Sequence, residues 1–263
     1  MTIIQAVILG LLQGLTEFLP VSSSGHLALT SYFLGVENPG LIFEIVLHVG
    51  TLFSVLVYFR SPIGQLLLSA FNPEMKEQRR MLGYLIVSSL PAAVIGLSFR
   101  HYFESISNQP QVVALLLFVT GTLLLLPRFF PKNRGDSDIT LRSALIMGFG
   151  QAFAILPGIS RSGSTIVSGM LSGANPAKVA EFSFLMAIPA ISGAAILAMF
   201  ELDKIDASLM TPFLIGGLVS FVSGLIAVYA VLSSIRKGKF EYFAYYCFAV
   251  GTIAFIYLQL SPA

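Results

Sequence analysis

The stretch Gln13-Gly14-Leu15-Thr16-Glu17-Phe18-Leu19-Pro20-Val21-Ser22-Ser23-Ser24-Gly25-His26 interrupts apolar sequence with a proline, three successive serines, a carboxylate and an imidazole. Proline removes a backbone donor and biases the residue before it away from helix, so a helix over 2–18 ends here. Periodicity resumes over 26–35 and stops at Gly35. Each arm is too short to cross a bilayer comfortably, and a polar turn joins them. The pattern predicts a re-entrant helical hairpin, a shape tolerated at membrane depth only where protein or a wet cavity surrounds it.

The surrounding composition requires a membrane. The 263 residues are 56% hydrophobic and 11% charged, against about 25% charged in soluble domains. Runs nearly free of charge and long enough to span occur near 41–59, 82–99 with a kink at Pro91, 111–126, 178–200, 212–234 and 242–259. The runs are continuous rather than alternating, which excludes a β-barrel. Arg60 is the first basic residue, so the start lacks the basic region of a cleaved signal peptide. The intervening stretches at 60–80 and around Arg100, His101 and Glu104 read as loops. Cys247 stands alone in an apolar run, so neither a disulfide nor a cysteine metal site is available. The formal net charge of +2 is small, and its basic residues lie in short loops rather than a patch, so no nucleic-acid partner is expected.

The pattern then recurs. Displaced by 138 positions without a gap, Thr2 meets Thr140, Gly10 meets Gly148, and Gln13 meets Gln151. Ser22 meets Ser160, Ser24 meets Ser162, and Gly25 meets Gly163. The expected fold is an all-α integral membrane protein forming a single membrane domain over 1–263. It holds two repeats, about 1–127 and 139–260, each with one hairpin and three spans. An odd number of spans inverts the second repeat relative to the first. The basic residues test this independently. Arg60, Lys76, Arg79, Arg80, Arg128, Lys132, Arg134, Arg142, Lys178, Arg236, Lys237 and Lys239 fall on one side, and Arg100 and Lys204 on the other. The rich side is cytoplasmic by the positive-inside rule, so both chain ends are external and the hairpin tips meet near the midplane.

Glu17, His26, Glu44, His48, Arg161 and Glu181 are the ionisable groups at membrane depth. A central arginine costs roughly 2.5–3.5 kcal/mol on insertion scales, so it has a partner or a use. Arg161 reads either as an ion pair joining the repeats or as an anion clamp. Ser160, Ser162, Ser164 and Thr165 around it, after the Pro157-Gly158 turn, favour the clamp. Hydroxyls, turn N–H groups and a helix N-terminus cradle phosphate, and the guanidinium fork matches its oxygens. Gln13 and Glu17 share a helix face, as a packing stripe or as groups facing the site. Glu17 could take a proton or bind a divalent cation. Ser22 and Ser24 read as helix caps or as substrate contacts. Ser23 is a candidate nucleophile, and His26 a catalytic or phosphate-binding group. Glu44 and His48 share a face and are expected to hydrogen-bond each other along the cavity.

Glu17-Phe-Leu-Pro-Val-Ser-Ser-Ser-Gly-His26, together with Pro157-Gly-Ile-Ser-Arg-Ser-Gly-Ser-Thr165, resembles the undecaprenyl pyrophosphate phosphatases of the bacitracin-resistance type over essentially the whole chain. The resemblance implies a bacterial enzyme of the cytoplasmic (inner) membrane, with its site open to the external or periplasmic side. Its substrate would be undecaprenyl pyrophosphate, cleaved to the monophosphate carrier of cell-wall glycans and inorganic phosphate. By motif, Gln13 and Glu17 match a pair of acidic positions whose first is often glutamate. Ser23 matches the proposed nucleophile, His26 the motif histidine and Arg161 the pyrophosphate-binding arginine. Glu44 matches an acidic position of the next helix. A divalent cation, magnesium or calcium, is implied by the resemblance alone. A transporter or flippase of a phosphorylated polyprenyl lipid is the alternative, since inverted repeats with broken helices also build carriers. The oligomeric state is left open, a homodimer being compatible with the sequence.

Overall fold

A computed structural model describes residues 1–36, 40–129, 137–199, 207–236 and 240–260. Those residues are helical almost throughout. In order they form α1 (Ile3–Phe18), α2 (Ser23–Phe33), α3 (Gly40–Tyr58), α4 (Arg60–Ser69), α5 (Lys76–Ser98), α6 (Arg100–Ser107) and α7 (Pro110–Leu125). A 3-10 turn, Leu126–Phe129, follows, then α8 (Leu141–Phe153), α9 (Arg161–Leu171), α10 (Pro176–Met199), α11 (Ala207–Arg236) and α12 (Tyr242–Leu260). Lys132, Arg134, Lys204, Lys237 and Lys239 of the charge pattern lie outside the described residues, as does the Glu104 side chain.

Among the described residues, five stretches are long and apolar enough to cross a membrane: Lys76–Ser98, Pro110–Phe129, Pro176–Leu197, Ser208–Ile235 and Tyr242–Leu260. A sixth candidate is the pair Ile42–Tyr58 and Arg60–Ser69, bent by 81°. The protein is therefore a multi-pass helical membrane protein. The sequence places these spans well but misses two short helices. α4 and α6 occupy stretches read as loops, because sparse charges mask their helical character. Pro62 falls in the first turn of α4, where its missing N–H breaks no helical bond. Leu67, Leu68 and Phe71 beside it are exposed. Pro91 lies inside α5, which continues from Lys76 to Ser98.

Both short arms begin alike. The Thr2 hydroxyl accepts from the Gln5 N–H while the Gln5 side chain accepts from the Thr2 N–H. Thr140 and Ser143 repeat this reciprocal cap at the start of α8. α1 packs on α2 and α8 on α9, so each pair is a helical hairpin. The first arm of each also lies against a span from the other end of the chain: α1 against α11, and α8 against α5. Glycine makes both approaches possible. A Cβ on Gly10 would sit 2.5 Å from the Gly216 carbonyl oxygen, and one on Gly148 would sit 2.5 Å from that of Ser88. Small residues are how helix backbones come this close in a membrane, where packing rather than water exclusion drives association. The interior is apolar around Phe18, whose ring meets Phe184 edge-on at 5.5 Å. Ile4, Leu214, Tyr229 and Ile253 face outward.

Candidate active site

The two hairpin turns face each other. In the first, Leu19 is extended, as a residue before proline must be. Ser22 follows at φ 70° and ψ 92°, the one non-glycine residue with positive φ among those described. Such a conformation costs of order 1–3 kcal/mol and persists only where its surroundings impose it. The Ser22 hydroxyl accepts from the Gly25 N–H at 3.2 Å and caps α2. In the second turn, Gly158 takes φ 99°, which a side chain would resist. Thr120 on α7 pins this turn, donating to the Gly158 carbonyl at 2.8 Å and accepting from the Ser160 N–H at 3.0 Å. The Ser160 hydroxyl caps α9 through the Gly163 N–H.

The tips join through polar contacts. Arg161 Nη2 lies 2.5 Å from Glu17 Oε1, and Arg161 Nη1 donates to the Ser183 carbonyl at 3.2 Å. Ser162 donates to the Leu19 carbonyl at 3.0 Å. The second oxygen of Glu17, Oε2, accepts from the Ser23 hydroxyl at 2.6 Å and from Gln13 Nε2 at 3.0 Å. His48 Nε2 stands 3.7 Å from the same oxygen. Glu17 is thus the hub, with its two oxygens serving different partners.

A cavity of about 310 Å³ opens over this hub. Its polar wall is Glu17, Ser22, Ser23, Ser24, Ser160 and Arg161, with Glu44 and His48 from α3. A larger cavity of about 650 Å³ adjoins it and shares Arg161, Ile155, Ala190 and Ala194. That second space is mostly apolar, walled by α5, α8 and α10.

Several expected site residues sit elsewhere. Gln13 is fully buried behind Glu17 and touches the cavity only through it. Ser162 faces the first hairpin, and Thr165 bonds the Arg161 carbonyl and the Ser183 hydroxyl, so both brace the turn. His26 is buried and absent from the cavity wall. The expected side-chain bond between Glu44 and His48 is replaced by another. His48 Nδ1 donates to the Glu44 backbone carbonyl at 2.7 Å, because a helix puts the carbonyl four residues back within reach of the ring. Thr120, Ser183 and Tyr246, which touch the site or its supports, carry no motif, so the sequence did not reveal them.

The donor set does not fit a resident metal ion. No group of three His, Cys, Asp or Glu side chains among the described residues converges on one point. Both oxygens of Glu17 already serve Arg161, Ser23 and Gln13.

In this multi-pass membrane protein a buried acid, a hydroxyl and an arginine converge beside an apolar cavity. The family model described as bacitracin resistance protein BacA matches residues 6–253, and the chain belongs to that family. A protein of Syntrophotalea carbinolica named undecaprenyl-diphosphatase is 42% identical, covering 97% of this chain and 98% of its own. One from Bacteroides fragilis with the same name is also 42% identical, over 98% of both chains. A third, from Methanobrevibacter smithii, is 39% identical over 97% of this chain and 98% of its own.

Proposed function

We propose that the protein hydrolyses undecaprenyl diphosphate to undecaprenyl phosphate and inorganic phosphate. Family membership and the relatives' shared name support the reaction. The observation that carries the mechanism is the 2.6 Å contact between Ser23 Oγ and Glu17 Oε2. The diphosphate occupies the smaller cavity and the prenyl chain the apolar one, with Arg161 at their junction. Ser23 Oγ attacks the terminal phosphorus as its proton passes to Glu17 Oε2. The bond from that phosphorus to the bridging oxygen breaks, and undecaprenyl phosphate leaves. Arg161 stabilises the charge that develops on the phosphoryl oxygens. Water then attacks the phosphoserine and loses one proton to the solvent while Glu17 returns its proton to Ser23 Oγ as the P–Oγ bond breaks, so that inorganic phosphate, free Ser23 and the Glu17 carboxylate result.

The divalent cation implied by the resemblance, magnesium or calcium, is assigned to the substrate rather than to the resting protein. Phosphate oxygens would supply most of its ligands, as is usual for magnesium. Glu44 is the cavity carboxylate left to meet it. No step above depends on it.

The architecture is read as two inverted repeats in one membrane domain. Three observations support this. The caps at Thr2 and Thr140 match, the contacts of Gly10 and Gly148 match, and each hairpin rests on the middle span of the other half. Displacement by 138 positions also superposes Ser23 on Arg161, so nucleophile and clamp occupy equivalent places. The charge pattern supports cytoplasmic placement of the basic loops and a site facing the external side of the inner membrane. The same reciprocal packing favours a second reading, a carrier for the phosphorylated lipid.

Purified protein in detergent has no second compartment, which separates the two. Release of inorganic phosphate from undecaprenyl diphosphate, lost in Arg161→Ala, supports the enzyme. Binding without turnover by the wild type overturns it.

A further inference from the structure

The histidine of the first hairpin does not line the cavity, and its ring joins the first turn to α12. His26 Nδ1 lies 2.8 Å from the Ser22 carbonyl oxygen. A carbonyl only accepts, so Nδ1 carries the proton, and in the neutral ring Nε2 holds the lone pair. Nε2 lies 3.0 Å from the hydroxyl of Tyr246 on α12. The two rings are nearly parallel, 6° apart, and stacked with centroids at 5.5 Å. Both nitrogens are engaged, Nδ1 with the backbone of Ser22 and Nε2 with Tyr246, and neither contacts Ser23.

Ser22 is the residue held at φ 70°. Its carbonyl takes the His26 backbone N–H at 3.1 Å as well as the ring. The next residue is Ser23, whose hydroxyl must meet Glu17 Oε2. At the equivalent place in the second hairpin, Ser160 relaxes to φ −72° and ψ 119°, and Ser164 stands where His26 would be. The strained turn and the histidine therefore occur together, in the hairpin that bears the hydroxyl nucleophile.

Resting on the phosphatase reading above, we propose that Tyr246 and His26 are positioning residues: Tyr246 orients the His26 ring, which clamps the Ser22 carbonyl and so aims Ser23 at Glu17. Neither touches the substrate. A motif histidine close to a serine invites assignment as the general base, but that role falls to Glu17.

The experiment is steady-state hydrolysis of undecaprenyl diphosphate by purified full-length protein. The variants are Tyr246→Phe, His26→Asn, His26→Ala and the Tyr246→Phe/His26→Asn pair, each with a pH profile. Asparagine places an N–H where Nδ1 was and nothing where Nε2 was. Tyr246→Phe should lower kcat roughly 3- to 10-fold, the range for one lost hydrogen bond, with KM unchanged. His26→Asn should keep more activity than His26→Ala and retain both limbs of the wild-type pH profile. Adding Tyr246→Phe to His26→Asn should change nothing further, because the ring that Tyr246 orients is gone. Wild-type kcat in Tyr246→Phe overturns the proposal. So does His26→Asn as inactive as His26→Ala with one pH limb lost, which makes His26 a proton carrier. Tyr246→Phe removes one oxygen from a partly exposed ring, so its fold is retained. Wild-type protein that releases no phosphate refutes the phosphatase reading itself, a result distinct from either of these.

Discussion

Arg161 Nη2 and Glu17 Oε1 meet at 2.5 Å although 144 positions separate them in sequence. Both side chains are largely buried, at 16% and 6% exposed. In a low-dielectric interior neither charge is tolerable without the other. The pair therefore closes the two hairpins on each other and leaves the second oxygen of Glu17 for Ser23.

Arg161→Ala should cost activity by about 10²–10³-fold or more, the usual loss for one transition-state donor. It should also destabilise by about 3–5 kcal/mol, since it strands the Glu17 carboxylate. Adding Glu17→Gln should restore much of the stability and none of the activity. Thermal unfolding in detergent beside phosphate release measures both. A double variant less stable than Arg161→Ala would show that the ion pair does not hold the hairpins.

Ser23→Ala should abolish turnover. Acid quench of wild-type protein with terminally labelled substrate should trap label on the chain, and Ser23→Ala should trap none. Substantial turnover by Ser23→Ala would replace the phosphoserine with direct attack by water.

Ser22→Gly should raise stability and lower kcat. Glycine adopts φ 70° freely, removing about 1 kcal/mol or more of strain, and replaces a serine cap at a cost of a few tenths. The freed turn no longer holds Ser23 in one direction. Calorimetry and steady-state kinetics on the same preparation decide it, and a decrease in stability is the contrary result.

Gly10→Ala and Gly148→Ala should destabilise alike, by about 1–3 kcal/mol each, because each new Cβ would meet a backbone oxygen at 2.5 Å. The loss should be seen in unfolding temperature. One variant harmless and the other severe would break the equivalence of the halves.

Manganese, as a paramagnetic stand-in for magnesium, should bind the purified protein weakly and bind more tightly once inorganic diphosphate is added. Glu44→Gln should weaken only the second event. Tight stoichiometric binding to the protein alone, followed by electron paramagnetic resonance, would point to a resident ion.

The spans and both hairpin turns were readable because each is written locally, as a nearly uncharged run of the right length or a proline beside hydroxyls. Glu17, Ser23 and Arg161 were readable because a charge or a serine cluster at membrane depth needs a reason. What escaped was written in the partner. Thr120 bonds the Gly158 turn from α7, and Tyr246 reaches His26 from 220 positions away. Neither stands out within its own helix. The hydrogen bonding of His48 also escaped, since spacing placed it beside Glu44 but did not distinguish carboxylate from carbonyl.

The first arm of the chain is made long before the surface it lies on. α1 ends at Phe18, and α11 begins at Ala207. At about 5–20 residues per second, ribosomal synthesis leaves roughly 10–40 s in which Gly10 has no Gly216 to rest against. During that interval the hairpin that bears Glu17 must be sheltered by lipid, by the insertion machinery or by α2 alone. A chain released before α11 would carry every residue that lines the pocket but not the span on which α1 rests.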